Sequence, residues 1–166
     1  MRTAVALGSN LGDRLANLRA ARKAILDLSN MKPPVLYSAV YETDPIGCEP
    51  DAAKFLNAVL EFDYESDPLE LLKNLKEIEK ALGRLPDHPR NVSRKIDLDL
   101  LYCGDKKTDI KEFQLPHPRM HLRRFVLQPL ADIRRDLVLP AQTKTVRELL
   151  AQIGDSDKVI RLIDRW

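Results

Sequence analysis

In the stretch RKIDLDLLYCGD, residues 94–105, two carboxylates are set among large apolar residues. Side chains two apart on a strand point to the same face. Read as a strand, the stretch sends Ile96, Leu98 and Leu100 into a core and projects Asp97 and Asp99 together from the other face, about 7 Å apart along the backbone. Two unpaired carboxylates side by side repel, and one is driven to take a proton unless a cation relieves the pair. Oxygen ligands with retained water suit Mg²⁺, which commonly also binds substrate phosphates, and a pair of ions clamping a reacting phosphate is compatible with the spacing. The bland alternative is a solvated strand face, or carboxylates paired with arginines.

The remaining elements supply a frame for such a strand. Residues 3–7 read as a strand ending at Gly8, followed by a helix with Leu15, Leu18, Ala21, Ile25 and Leu26 at helical spacing and Asp13 near its start. Pro33 and Pro34 break the chain before a strand over residues 35–41, and TDPIGCEPD, residues 43–51, reads as a loop. Residues 55–64 form a long strand with Leu56, Ala58, Leu60 and Phe62 on one face. Asp67, Pro68 and Glu70 give a capping-box start to a helix carrying Leu69, Leu72, Leu75, Ile78 and Leu82, with Gly83 as its stop. Residues 84–95 hold two prolines and neither period, so they are a loop. GDKKTD is a turn, residues 113–115 a short strand, 125–133 and 146–153 helices, and 159–163 a final strand. The order β-α-β-β-α-β is the split βαβ arrangement of ferredoxin-like folds. The expected class is α+β, a largely antiparallel sheet with helices packed on it, in one domain over residues 1–166.

Charged residues make up 31% of the chain but leave a net charge of only +2, which argues against both a dedicated nucleic-acid binder and a disordered chain. Cys48 and Cys103 have neither CxxC nor zinc-ligand spacing and read as reduced thiols. With no signal peptide and no apolar stretch of about twenty residues, the expectation is a cytoplasmic protein without membrane contact.

Basic residues crowd the strand on both sides. Arg84, Arg90, Arg94 and Lys95 lie upstream, and Arg119, Arg123 and Arg124 with His117 and His121 lie downstream. Guanidinium forks match phosphate oxygens and stabilise charge on a transferring phosphoryl group. ALGSNLGDR matches neither a Walker loop nor a dinucleotide fingerprint, and a tight strand-to-helix turn accounts for Gly8 and Gly12. Asn57 stands in an apolar strand, where a buried amide needs partners.

Taken in order, ALGSNLGD, YETDPIG, FLNAV, EIEKALGR, RNVSRKIDLDLLYCG and LPHPRMHLRRFVLQPLADI resemble the 6-hydroxymethyl-7,8-dihydropterin pyrophosphokinase family of folate synthesis over nearly the whole chain. The resemblance implies a ferredoxin-like fold and transfer of pyrophosphate from ATP to the pterin hydroxymethyl group, with AMP as the other product. It implies that Asp97 and Asp99 hold two Mg²⁺ ions on the ATP phosphates, and that Arg84 and Arg94 close over the triphosphate. Lys76, Glu79, Leu100, His117 and Arg123 fall at nucleotide-contacting positions. Asn57 and Asp97 fall where the family reads the pterin edge, Phe55 and Phe125 where two aromatics sandwich the ring, and Thr43, Asp44, Pro45 and Ile46 on the pterin-facing loop. ATP and the pterin are the implied partners, and a monomer is the expected state.

The chain departs from the family pattern at Val92-Ser93, where a glycine and often a proline are usual, at Asn91, where some members carry tryptophan, and at Pro118, where some carry an aromatic. Loop closure is accordingly expected to be stiffer or less tight. Two other classes fit the same residues less well. A metal-dependent nuclease or nucleic-acid module lacks the basic, aromatic sheet surface it needs. A non-catalytic pterin-binding relative is disfavoured by the presence of Asp97, Asp99, Arg84 and Arg94 together.

Overall fold

In chain order the elements are β1 (Arg2–Ser9), α1 (Arg14–Leu26), β2 (Met31–Tyr37), β3 (Val40–Thr43), β4 (Phe55–Tyr64), α2 (Pro68–Ala81), β5 (Asp97–Cys103), β6 (Thr108–Ile110), β7 (Phe113–Leu115), α3 (Arg124–Arg134), α4 (Val146–Ile153) and β8 (Val159–Ile163). They are seen in a computed structural model that describes residues 1–49, 51–84, 92–110, 113–154 and 158–166. The main sheet runs β5-β1-β4-β3-β8, with β2 also on β4, and every pairing in it is antiparallel. β6 and β7 form a separate hairpin. No helix among the described residues is long and apolar enough to cross a membrane.

Period-two alternation divides the core between the two sides of the sheet. Val5 and Leu7 of β1, Leu56, Ala58, Leu60 and Phe62 of β4, and Leu98 and Leu100 of β5 pack with Leu18, Ala21 and Ile25 of α1 and Leu71 and Leu75 of α2. On the other side Ala4, Val59, Leu101 and Tyr102 pack with Val126, Leu127 and Leu130 of α3 and Val146 and Leu149 of α4. α1, α2 and α4 start where a side chain satisfies the first turn. Asp13 accepts from the Ala16 N–H at 3.0 Å and Asp67 from the Leu69 N–H at 2.7 Å. Glu70 does not close a capping box; it accepts from Ser66 and, at 3.2 Å, from Asn30. At α4 the box is complete between Thr145 and Glu148.

Three local expectations need correction. Pro33 and Pro34 lie inside β2, in the irregular stretch between the Met31–Lys32 and Leu36–Tyr37 pairings with β4, where no regular ladder bond is asked of them. The strand expected over 35–41 is split, because side chains take over hydrogen bonding at the junction. The Ser38 hydroxyl accepts from the Val59 N–H at 2.9 Å, and Asp132 accepts from the Ala39 N–H at 3.1 Å. The segment read as a turn before residue 110 also contains β6, which β7 stabilises by pairing. Both cysteines are free thiols, Cys103 buried and Cys48 half-buried.

Candidate active site

Two small residues on one face of β1, Ala6 and Gly8, define the site's floor. Register places Gly8 between Asn57 of β4 and Asp97 of β5, and Ala6 between Val59 and Asp99. Two strand spacings, about 10 Å, therefore separate an amide on one flank from a carboxylate on the other, with no side chain between them. A Cβ at Gly8 would sit 3.1 Å from Asn57 Oδ1, 3.8 Å from a Phe55 ring carbon and 3.9 Å from Asp97 Cβ. Ala4 continues the stripe between Glu61 and Tyr102. This alternation of small residues is visible in TAVALGS, and it is the signal that a reading of Gly8 as a turn residue passes over.

The two aspartates share a face but not a fate. Asp97 Oδ1 accepts from Arg84 at 2.5 Å and Oδ2 from Arg94 at 2.9 Å. Burial acts to raise the Asp97 pKa, but Arg94 and Arg84 outweigh it and hold the carboxyl below its usual range. Asp99 pairs with Arg123 at 3.7 Å, and His117 and Lys76 lie close enough to act on its charge. Burial and then the neighbouring Asp97 charge push it upward. Burial also lowers the pKa of half-buried His117, which Asp99 opposes.

Glu79 supports this arrangement from α2. It is only 2% exposed. Its carboxylate pairs with Arg84, with Lys76 at 2.9 Å, and accepts from the Leu98 backbone N–H at 2.7 Å, between the two aspartates. It therefore fixes both the strand and the arginine, with its oxygens committed to protein groups. Leu100 turns its side chain into the α1/α2 core, away from the aspartates.

The residues expected on the pterin side assemble partly. Buried Asn57 donates to the Thr43 hydroxyl at 2.7 Å, tying β4 to β3. Phe55 stands beside Gly8. Phe125 lies in the first turn of α3 with the Arg123 guanidinium 5.5 Å from its ring centroid, which joins Phe125 to Asp99 through one side chain. Asp44 pairs with Lys54 at 3.4 Å, Pro45 is half-buried, and Ile46 is 55% exposed. Arg90 and Asn91 lie outside the described residues.

Among the described residues no cluster of three or more His, Cys, Asp or Glu could cage a metal. Two carboxylates suffice for Mg²⁺ that keeps water and binds substrate phosphates. The under-compensated charge at Asp99 fits a cation; Asp97 fits one only when its arginines move to another anion. A cavity of about 260 Å³ borders His117, with Gln114, Leu115 and Met120 among its walls.

The family model for 7,8-dihydro-6-hydroxymethylpterin-pyrophosphokinase matches residues 4–135. The 2-amino-4-hydroxy-6-hydroxymethyldihydropteridine pyrophosphokinase of Haemophilus influenzae is 40% identical over 158 residues, covering 95% of this chain and 96% of the relative. The enzyme of the same name from Pseudomonas aeruginosa is 40% identical over 150 residues, covering 90% of each chain. Among solved structures, an HPPK-DHPS in complex with substrates superposes with a TM-score of 0.73 at 12% identity, over 95% of this chain and 46% of that one, a likeness of fold.

Proposed function

This chain belongs to the 6-hydroxymethyl-7,8-dihydropterin pyrophosphokinase family, and from that premise we propose how the β1–β4–β5 face carries out the family's reaction. It is an ATP-dependent pyrophosphokinase of folate synthesis. The pterin hydroxymethyl oxygen attacks the β-phosphorus of ATP, the bond to the α-phosphate oxygen breaks, the hydroxyl proton is lost, and AMP leaves.

Asn57 reads the pterin edge, and Phe55 and Phe125 hold the ring faces, as a flat heteroaromatic substrate requires. Gly8 leaves the ring's bed open. Thr43 and the segment 44–46 border the same end of the sheet. His117 and Arg123 contact the nucleotide, whose base enters the cavity beside His117. Asp97 and Asp99 would hold Mg²⁺, two ions in this reading. When bound, the metal supplies charge neutralisation across the triphosphate. Arg84 and Arg94 release Asp97 as the triphosphate enters and take phosphate oxygens instead, which matches their fork geometry. Phosphoryl-type transfer depends mainly on positioning and charge stabilisation, and both arginines begin within hydrogen-bond reach of the carboxylate they exchange. A monomer is sufficient, since one chain carries every residue in this scheme.

The observation that carries the reading is the register row Asn57–Gly8–Asp97, which sets an amide reader and a carboxylate on the two sides of an open floor. Incubation with ATP, Mg²⁺ and 6-hydroxymethyl-7,8-dihydropterin tests it. AMP and the pterin diphosphate are expected; ADP with a phosphorylated pterin would overturn the reaction type.

A further inference from the structure

Asn10 lies just beyond the end of β1, between the strands that flank it, and is 2% exposed. Its side chain reaches both flanks. Nδ2 donates to the Ala53 carbonyl at 3.1 Å, two residues before Phe55, and to the Ser93 hydroxyl at 2.9 Å. Oδ1 accepts from the Arg94 backbone N–H at 2.7 Å, while the Asn10 backbone N–H donates to the Arg94 carbonyl at 3.1 Å. Both main-chain groups of Arg94 are thus held by one residue. Glu49, from the loop after β3, accepts from the Ser93 N–H at 3.1 Å and holds the same segment from the pterin side.

We infer that Asn10 is a positioning residue that locks Arg94 in register with the entry to β4, so that the phosphate-facing arginine and the pterin-facing strand are placed by one amide. The inference rests on the reaction described under Proposed function. β4 and β5 do not pair with each other, because β1 separates them. A strap across the end of β1 is what relates their ends. The amide fits because it donates twice and accepts once. Aspartate of the same shape loses both donors, and alanine loses all three side-chain bonds. Transfer chemistry is sensitive to such a loss, since a misplacement of about 1 Å can cost on the order of 100-fold in rate.

The test is a double-mutant cycle read by single-turnover AMP release at saturating ATP, Mg²⁺ and pterin. Asn10→Ala is expected to slow the chemical step by about 10-fold to 100-fold, with the KM for ATP changed far less than the rate. In an Arg94→Ala background the same substitution should change the rate by less than about threefold, because the group it positions is gone. Ser93→Ala, which removes one of the contacts, should give a smaller loss that likewise vanishes in the Arg94→Ala background, and it carries the test if Asn10→Ala does not fold. Equal losses in both backgrounds, or no loss in the wild-type background, overturn the assignment. A wild-type chain that releases no AMP overturns the reaction itself and this inference with it, an outcome distinct from active wild type with an indifferent Asn10.

Discussion

Two acidic centres lie on the same face of the sheet, toward opposite ends of β1, and they are built differently. At one end Glu61, 1% exposed, meets Arg2, Arg134 at 2.7 Å and the Tyr102 hydroxyl at 2.6 Å. Its charge is answered by two guanidinium groups and a phenol, and Arg2 also reaches Asp63 at 3.5 Å. Burial and the bond to Glu61 push the Tyr102 phenol far up, so it stays a donor. At the other end, among the described residues, Asp97 is answered by two arginines within hydrogen-bond reach, whereas the arginine beside Asp99 stands off at 3.7 Å. A buried carboxylate with complete partners is a structural joint. A neighbouring pair with too few partners is a site waiting for positive charge.

Substitutions at the two ends should separate these roles. The largest effect is expected from Asp97→Asn and Asp99→Asn, each lowering turnover by about a thousandfold or more. Asp99→Asn should leave the Tm unchanged or raised, because it removes repulsion within the pair; a clear loss of Tm with near-native turnover would reverse the comparison. Glu61→Ala should do the opposite. It strands two cations that are themselves partly exposed, so a loss of about 2–3 kcal/mol is expected, a fall in Tm of roughly 4–12 °C. Turnover per folded molecule should hold, as thermal melts and rates at a temperature well below the Tm would show.

Gly8→Ala sharpens the comparison from the floor between the flanks. Its methyl would press on Asn57 and approach Phe55 and Asp97. The KM for the pterin should rise by about 10-fold, with the KM for ATP nearly constant; an equal rise in both would mean that the floor does not discriminate the two substrates. The magnitude follows from a local overpacking cost of about 1–3 kcal/mol. The smallest effect is expected for Tyr102→Phe, which removes one hydrogen bond to a charged group, about 1.5 kcal/mol. Chemical denaturation should register it while AMP formation stays at the wild-type rate.

Much of this architecture was readable because it is local. Asp67-Pro68 opens α2 where expected, α4 and β8 coincide with the expected 146–153 and 159–163, and the even residues of β4 face the core as their alternation requires. What was misread depended on pairing. Pro33-Pro34 looked like an interruption because nothing nearby in sequence shows that β2 skips its ladder there. β6 looks like a turn because three residues, Thr108–Ile110, are too few to show a strand period, and only the hairpin pairing with β7 just downstream makes them a strand. For Glu79, expected at a nucleotide-contacting position, the tertiary structure adds the bonds to Arg84, Lys76 and the Leu98 N–H that no local pattern shows.

The amino-acid order alone determined that Asp97 and Asp99 share a strand face, since a period of two is a property of the backbone. It also set the element order, through caps and hydrophobic spacing. Tertiary structure decided which carboxylate is neutralised and which is left short of partners. Electrostatic compensation depends on distances of a few ångströms between side chains far apart in the chain, such as Arg123 and Asp99 or Arg134 and Glu61. The same holds for Asn10, an unremarkable turn residue in sequence that becomes a strap only when three strand ends meet around it.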